Sequence, residues 1–124
     1  MKLNTLSIGA ILGAMAIILG AFGAHSLESN MSSDSYNQYK TAVNYQFLHA
    51  LLLVFVSIMS KIMPNKRFLS FSKYFLVAGI LIFCSSLYAT TLFGTNILGF
   101  MAPIGAIFLV IGWLLLAIAG FLEN

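Results

Sequence analysis

Charge is what this chain has least of. Asp, Glu, Lys and Arg make up 7% of its 124 residues, against 60% hydrophobic residues. A water-soluble domain carries about a quarter charged residues, so a soluble globule is excluded and lipid must be the main solvent. The six basic and three acidic side chains leave a net charge of +3. The cations are not clustered as on a nucleic-acid-binding face, so no nucleic-acid partner is expected. Cysteine is as scarce: Cys84 stands alone, which excludes an intrachain disulfide. The usual equipment of hydrolysis is missing too. His25 and His49 are the only acid–base groups near membrane depth, Glu28 and Asp34 lie outside it, and no nucleophile elbow or phosphate loop occurs. No enzymatic activity, catalytic residue or cofactor is therefore expected.

What is present is apolar sequence in long runs, with a mean hydropathy of +1.00. A bilayer span needs about 20 mostly apolar residues. The run from Leu6 to Ala24 meets that length and exceeds the usual core of a cleaved signal peptide, so it reads as a retained helix. A second span lies between Lys40 and Lys61. No charge separates Lys73 from Glu123, an interval that suits two helices joined by "FGTNILGFMAP". Glycine and asparagine favour a turn there, and Pro103 is tolerated in the first helical turn, where its missing N–H has no partner anyway. Continuous apolar runs, rather than short alternating ones, make strands of a barrel the weaker reading. The expectation is an all-α, single-domain, polytopic membrane protein. It is an antiparallel bundle of four transmembrane helices at about 6–25, 34–62, 71–92 and 101–121.

Basic residues set direction. Lys2, Lys61, Lys66, Arg67 and Lys73 fall on one side and Lys40 on the other, which predicts cytoplasmic N- and C-termini in a bacterial inner membrane. Tyr36 and Tyr39, just outside the second span, suit the headgroup layer. Ser32 and Ser33 are good N-caps, with Asp34 following at the positive end of the helix dipole. No glycine or proline interrupts 34–63, so this span starts in the aqueous phase and runs on as one long helix.

In this orientation the polar side chains gather in the outer leaflet. "ILGAFGAHSL" brings His25 to the outer end of the first helix. Asn44, Gln46 and His49 occupy the outer half of the second, and Cys84, Ser85, Ser86, Tyr88, Thr90 and Thr91 the outer half of the third. The inner halves are nearly all hydrocarbon. Tyr45 and Gln46 stand four and three residues before His49, and Ser85 three before Tyr88, so each pair can share a helix face. His25, Tyr45, Gln46, His49, Ser85 and Tyr88 form the candidate polar cluster. Gly9, Gly13, Gly20, Gly23, Pro103 and Gly105 are the candidate close-packing positions, Gly9 and Gly13 in a small-xxx-small pattern.

The stretches "LGAFGAHSL", "TAVNYQFLHALLL", "SSLY" and "PIGAIFLVIGW" together resemble the domain-of-unknown-function 423 family, the YgdD/YwdK-like small integral membrane proteins. The resemblance covers nearly the whole chain. Gly20, Gly23, His25, Tyr45, Gln46, His49, Tyr88, Pro103 and Gly105 stand at matching positions. The family's fourth-helix motif often has a double glycine after proline, whereas "MAPIGA" places Ala106 second and relaxes packing there. The resemblance implies a four-helix integral membrane protein and no particular reaction.

Two readings of the cluster compete. In the first, His25 caps its helix end while His49, Gln46 and Tyr88 hydrogen-bond between helices and fix their register, each such bond worth about 0.6 kcal/mol in a membrane. In the second they line a pocket for a lipid, quinone or small amphiphile, since an ionisable group at membrane depth is a functional candidate by default. Metal binding by His25, His49 and Cys84 has suitable ligand types and lacks ligand spacing, so no metal is expected. The glycine stripes suit self-association, with a second copy or another membrane protein as partner besides the bilayer. The balance favours a structural or interaction protein.

Overall fold

The computed structural model describes residues 3–64, 66–96 and 99–123; Lys2, one of the topology markers, lies outside them. The described residues contain four long helices: α1 (Thr5–Phe22), α2 (Ser33–Ile62), α3 (Arg67–Phe93) and α4 (Met101–Leu122). A π-helical turn, Gly23–Leu27, prolongs α1. All four are long and apolar enough to cross a membrane. α3 begins ahead of the expected residue 71 because residues 67–70 contain no helix breaker.

Local chemistry places the ends. Asn4 caps α1, its Oδ1 accepting from the Ser7 N–H at 2.9 Å, and Ser32 caps α2 through the Ser35 N–H at 3.2 Å. Asp34 sits in the first turn of α2 and Lys61 in the last, each favourable to the helix dipole. α3 stops at Gly94, whose φ of 66° is the left-handed conformation that glycine adopts without a Cβ penalty. At 30 residues α2 is about 45 Å long. It therefore outruns a hydrocarbon core of about 30 Å and extends into the aqueous layer.

Neighbouring helices are antiparallel, with α1 on α2, α2 on α3 and α3 on α4. One end of the bundle, here the base, holds the start of α1, the α2–α3 connection and the end of α4. The opposite end, the crown, holds the π-helical turn and the α3–α4 connection. Glycines let the helix axes approach. A Cβ on Gly9 would meet Val54 Cγ2 at 2.9 Å, and one on Gly20 would meet Val43 Cγ1 at 3.3 Å. The α3–α4 seam is glycine-matched from both sides: Gly112 faces Leu76, Gly79 faces Leu109, and Gly105 lies on the Phe83 backbone. Each step down α3 is answered by an equal step up α4, so one register satisfies all three contacts. Gly79 and Gly112 were not among the expected packing positions; their partners lie on another helix. Pro103 is exposed in the first turn of α4.

The core is aliphatic, centred on Leu53, Val56, Leu69, Leu76 and Ile80. Large apolar side chains such as Ile17, Phe55, Leu81, Ile107 and Leu114 cover the outside. Only a hydrocarbon solvent makes that exterior favourable, so the bundle is turned outward for lipid.

Candidate functional site

One turn of α2 ties the bundle together. Gln46 and His49, three residues apart, are 3% and 4% exposed. The Gln46 amide donates through Nε2 to the Leu12 carbonyl of α1 at 2.9 Å. Its Oε1 accepts from the Tyr88 hydroxyl of α3 at 2.7 Å. His49 turns to α4, where Trp113 Nε1–H donates to its Nε2 at 3.2 Å. Gln46 and His49 thus reach all three other helices.

The His49 bonds fix its protonation. Nδ1 lies 2.8 Å from the Tyr45 carbonyl, which can only accept, so Nδ1 carries the proton. Nε2 must then offer a lone pair, and the Trp113 N–H is a donor only. A neutral ring satisfies both neighbours, whereas a doubly protonated ring would oppose two N–H groups at Nε2. Trp113 packs edge-on against the ring, with centroids 6.2 Å apart.

Not every expected member joins. Tyr45 contributes its carbonyl, while its ring stacks on Phe83 at 4.8 Å on the outer face. Ser85 is exposed at the rim of a groove between α1 and α3. The buried serine is its neighbour Ser86, whose hydroxyl bonds back to the Phe83 carbonyl at 2.8 Å. Consecutive serines point about 100° apart on a helix, and spacing alone does not say which faces inward. His25 is exposed on the π-helical turn, apart from His49. The helix-end bond expected of His25 comes instead from Asn30, whose Nδ2 donates to the Ser26 carbonyl at 2.7 Å. Tyr39, expected at the headgroup layer, is buried: its ring fills the space left by the missing Cβ of Gly23, and its hydroxyl donates to the Leu19 carbonyl.

The network also reaches beyond the crown half of the bundle. Trp113 lies past the midpoint of α4, and Leu12 lies in the first half of α1. Nearer the base runs a second polar chain that hydropathy reading missed. Ser57 Oγ donates to the Leu53 carbonyl at 2.6 Å, so the Thr5 hydroxyl, 2.9 Å away, donates to Ser57. Ser60 Oγ donates to the Ser57 carbonyl at 2.9 Å and accepts from Lys73 Nζ at 3.1 Å. Serine and threonine pair so easily with helical carbonyls that their runs still read as hydrocarbon.

Every buried side-chain nitrogen and oxygen among the described residues has a hydrogen-bond partner. Cys84 Sγ faces the Ala42 carbonyl at 3.4 Å, and no group of three His, Cys, Asp or Glu side chains converges among the described residues. A groove of about 350 Å³ opens to lipid between α2 and α4, lined by Tyr45, Leu48, His49, Ala106, Leu109 and Trp113 among others. Its lining is apolar apart from the bonded His49–Trp113 pair and the exposed Tyr45 side chain. Ala106, where packing was expected to relax, forms part of its wall.

Comparison with known proteins gives a consistent result. Residues 19–106 match the family described as "Protein of unknown function (DUF423)". A UPF0382 membrane protein of Staphylococcus aureus is 34% identical over 114 residues, covering 92% of each chain. The UPF0382 membrane protein YwdK of Bacillus subtilis is 32% identical over 90% of this chain and 91% of its own. A UPF0382 membrane protein of Haemophilus influenzae is 33% identical over 98% and 96% respectively. No solved structure matches.

Proposed function

The chain belongs to the DUF423 family, and on that premise we propose that it is a structural or interaction protein of the bacterial inner membrane and not an enzyme. One observation supports this most directly. The polar groups at membrane depth that could serve a ligand, Gln46, His49 and Tyr88, are bonded to Leu12, Tyr45, Trp113 and one another. A site for chemistry needs an unpartnered polar group facing a cavity, and each of these three side chains already has a protein partner. The reading includes cytoplasmic N- and C-termini. Its support is the basic excess of Lys61, Lys66, Arg67 and Lys73 over Lys40. It also includes association with a second copy or another membrane protein, for which the small residues Ala16, Gly20 and Ala21 beside an open groove between α1 and α2 are suited.

The test is native mass spectrometry from mild detergent, comparing wild type with His49→Ala. The expected result is a less stable variant with the same set of retained small molecules, and a protomer number set by the protein alone. A quinone, lipid or metal adduct present in wild type and lost in His49→Ala would replace the structural reading with a binding one. Reporter fusions at the C-terminus, scored for cytoplasmic or external activity, test the topology.

A further inference from the structure

At the base of the bundle we propose a seat for the phosphate of an anionic lipid headgroup, built on Lys73 and flanked by Lys61, Lys66 and Arg67. The inference is independent of the structural role argued above and of which leaflet the base faces.

Lys73 is the anchor. Its ammonium lies against Ser60 Oγ at 3.1 Å, and Ser60 is itself buried with its own proton committed to the Ser57 carbonyl. Ser60, fixed by its bond to the Ser57 carbonyl, therefore holds one ammonium hydrogen of Lys73 in place. The other two have no protein acceptor among the described residues. Among the described residues no carboxylate pairs with it: Glu28 and Asp34 are at the crown, and Glu123 is exposed at the end of α4. A half-buried ammonium with two free donors calls for an anion.

The surroundings give that anion its class. Lys66, Ser70 and Lys73 follow at steps of four and three and so share one face of α3. Helical side chains lean toward their own N-terminus, so Lys73 reaches toward the base surface rather than into hydrocarbon. Lys61 is adjacent to Ser60 in the last turn of α2, and Lys61, Lys66 and Arg67 are exposed. The next residue, Tyr74, is 69% exposed. An exposed tyrosine at the end of a membrane helix marks headgroup level. The first turn of α3 has no side-chain cap and no acidic residue, which adds partial positive charge to that of the four side chains. Four cations at headgroup depth, open to the bilayer on the outside, fit a lipid phosphate better than a soluble one.

The experiment uses the purified full-length chain in a mild uncharged detergent. Phosphatidylglycerol, phosphatidylcholine and inorganic phosphate are each titrated while thermal unfolding and native mass are recorded. Phosphatidylglycerol should raise the midpoint and remain as an adduct, and phosphatidylcholine should do neither. Each neutralised cation should weaken apparent affinity roughly fivefold, with the effect reduced by salt. Lys73→Gln should lose the adduct and Lys73→Arg retain it. Should Lys73→Gln fail to fold, the triple variant Lys61→Gln/Lys66→Gln/Arg67→Gln, all at exposed positions, must still lose most of the affinity. The adduct should survive in His49→Ala, which separates this site from the central network. Equal retention of the two lipids, or undiminished binding in the neutralised variants, would overturn the proposal. Equal stabilisation by inorganic phosphate alone would overturn the lipid assignment in favour of a soluble anion.

Discussion

Replacing Gln46 by leucine tests the central network most sharply. The change keeps the volume of the side chain nearly constant and removes one donor and one acceptor. Two interhelical bonds are lost, to the Leu12 carbonyl and from the Tyr88 hydroxyl. At a membrane average of about 0.6 kcal/mol each, that is about 1.2 kcal/mol. The Leu12 carbonyl keeps its helical partner, whereas the Tyr88 hydroxyl is left without an acceptor in a dry site, adding about 1–3 kcal/mol. Gln46→Leu should therefore destabilise by about 2–4 kcal/mol. Tyr88→Phe removes the stranded hydroxyl, so the double variant should be more stable than the sum of the two single effects by about 1 kcal/mol or more. The assay is reversible unfolding in mixed detergent micelles, followed by far-ultraviolet circular dichroism and by emission of the single tryptophan, Trp113. If the single effects add to within about 0.5 kcal/mol, the two side chains are not coupled and the network reading fails.

Other consequences are open to measurement. Gly105→Ala would put a Cβ 2.7 Å from Phe83 Cα, and because the obstacle is backbone the α3–α4 seam must open. A loss of about 1–3 kcal/mol or more is expected in the same unfolding assay, against little effect from Gly120→Ala, where nothing is nearby. Trp113→Phe should destabilise by about 1 kcal/mol or more, because it strips His49 Nε2 of its donor; a histidine ring signal unchanged in nitrogen NMR would contradict the assigned bond. Gly23→Ala should displace the Tyr39 ring, seen as faster proteolysis at the crown. Cys84 is buried, so a maleimide should label it only as the bundle unfolds, at a rate that follows global stability.

The four apolar helices and their membrane setting were legible before any fold was known. Hydrophobicity over 20 residues is a local sum, and backbone satisfaction in lipid leaves the helix as the form such runs adopt. Caps at Ser32 and the stop near Gly94 were readable for the same reason, being interactions within a few residues. Gln46, His49 and Tyr88 stood out because polar groups at membrane depth are costly enough to notice. Tertiary structure alone decided what each one bonds. It sent Gln46 to Leu12 and Tyr88, paired His49 with a tryptophan 64 residues away, and chose Ser86 over Ser85 for the interior. It also buried Tyr39 on Gly23, left His25 outside, and matched Gly79 and Gly112 to leucines on the facing helix. Those outcomes depend on helix rotation and register, which are set jointly by contacts between helices and are carried by no single segment. The polar row of Thr5, Ser57, Ser60 and Lys73 shows the same limit: each serine is unremarkable in its own run, and only the packing of three helices brings them together.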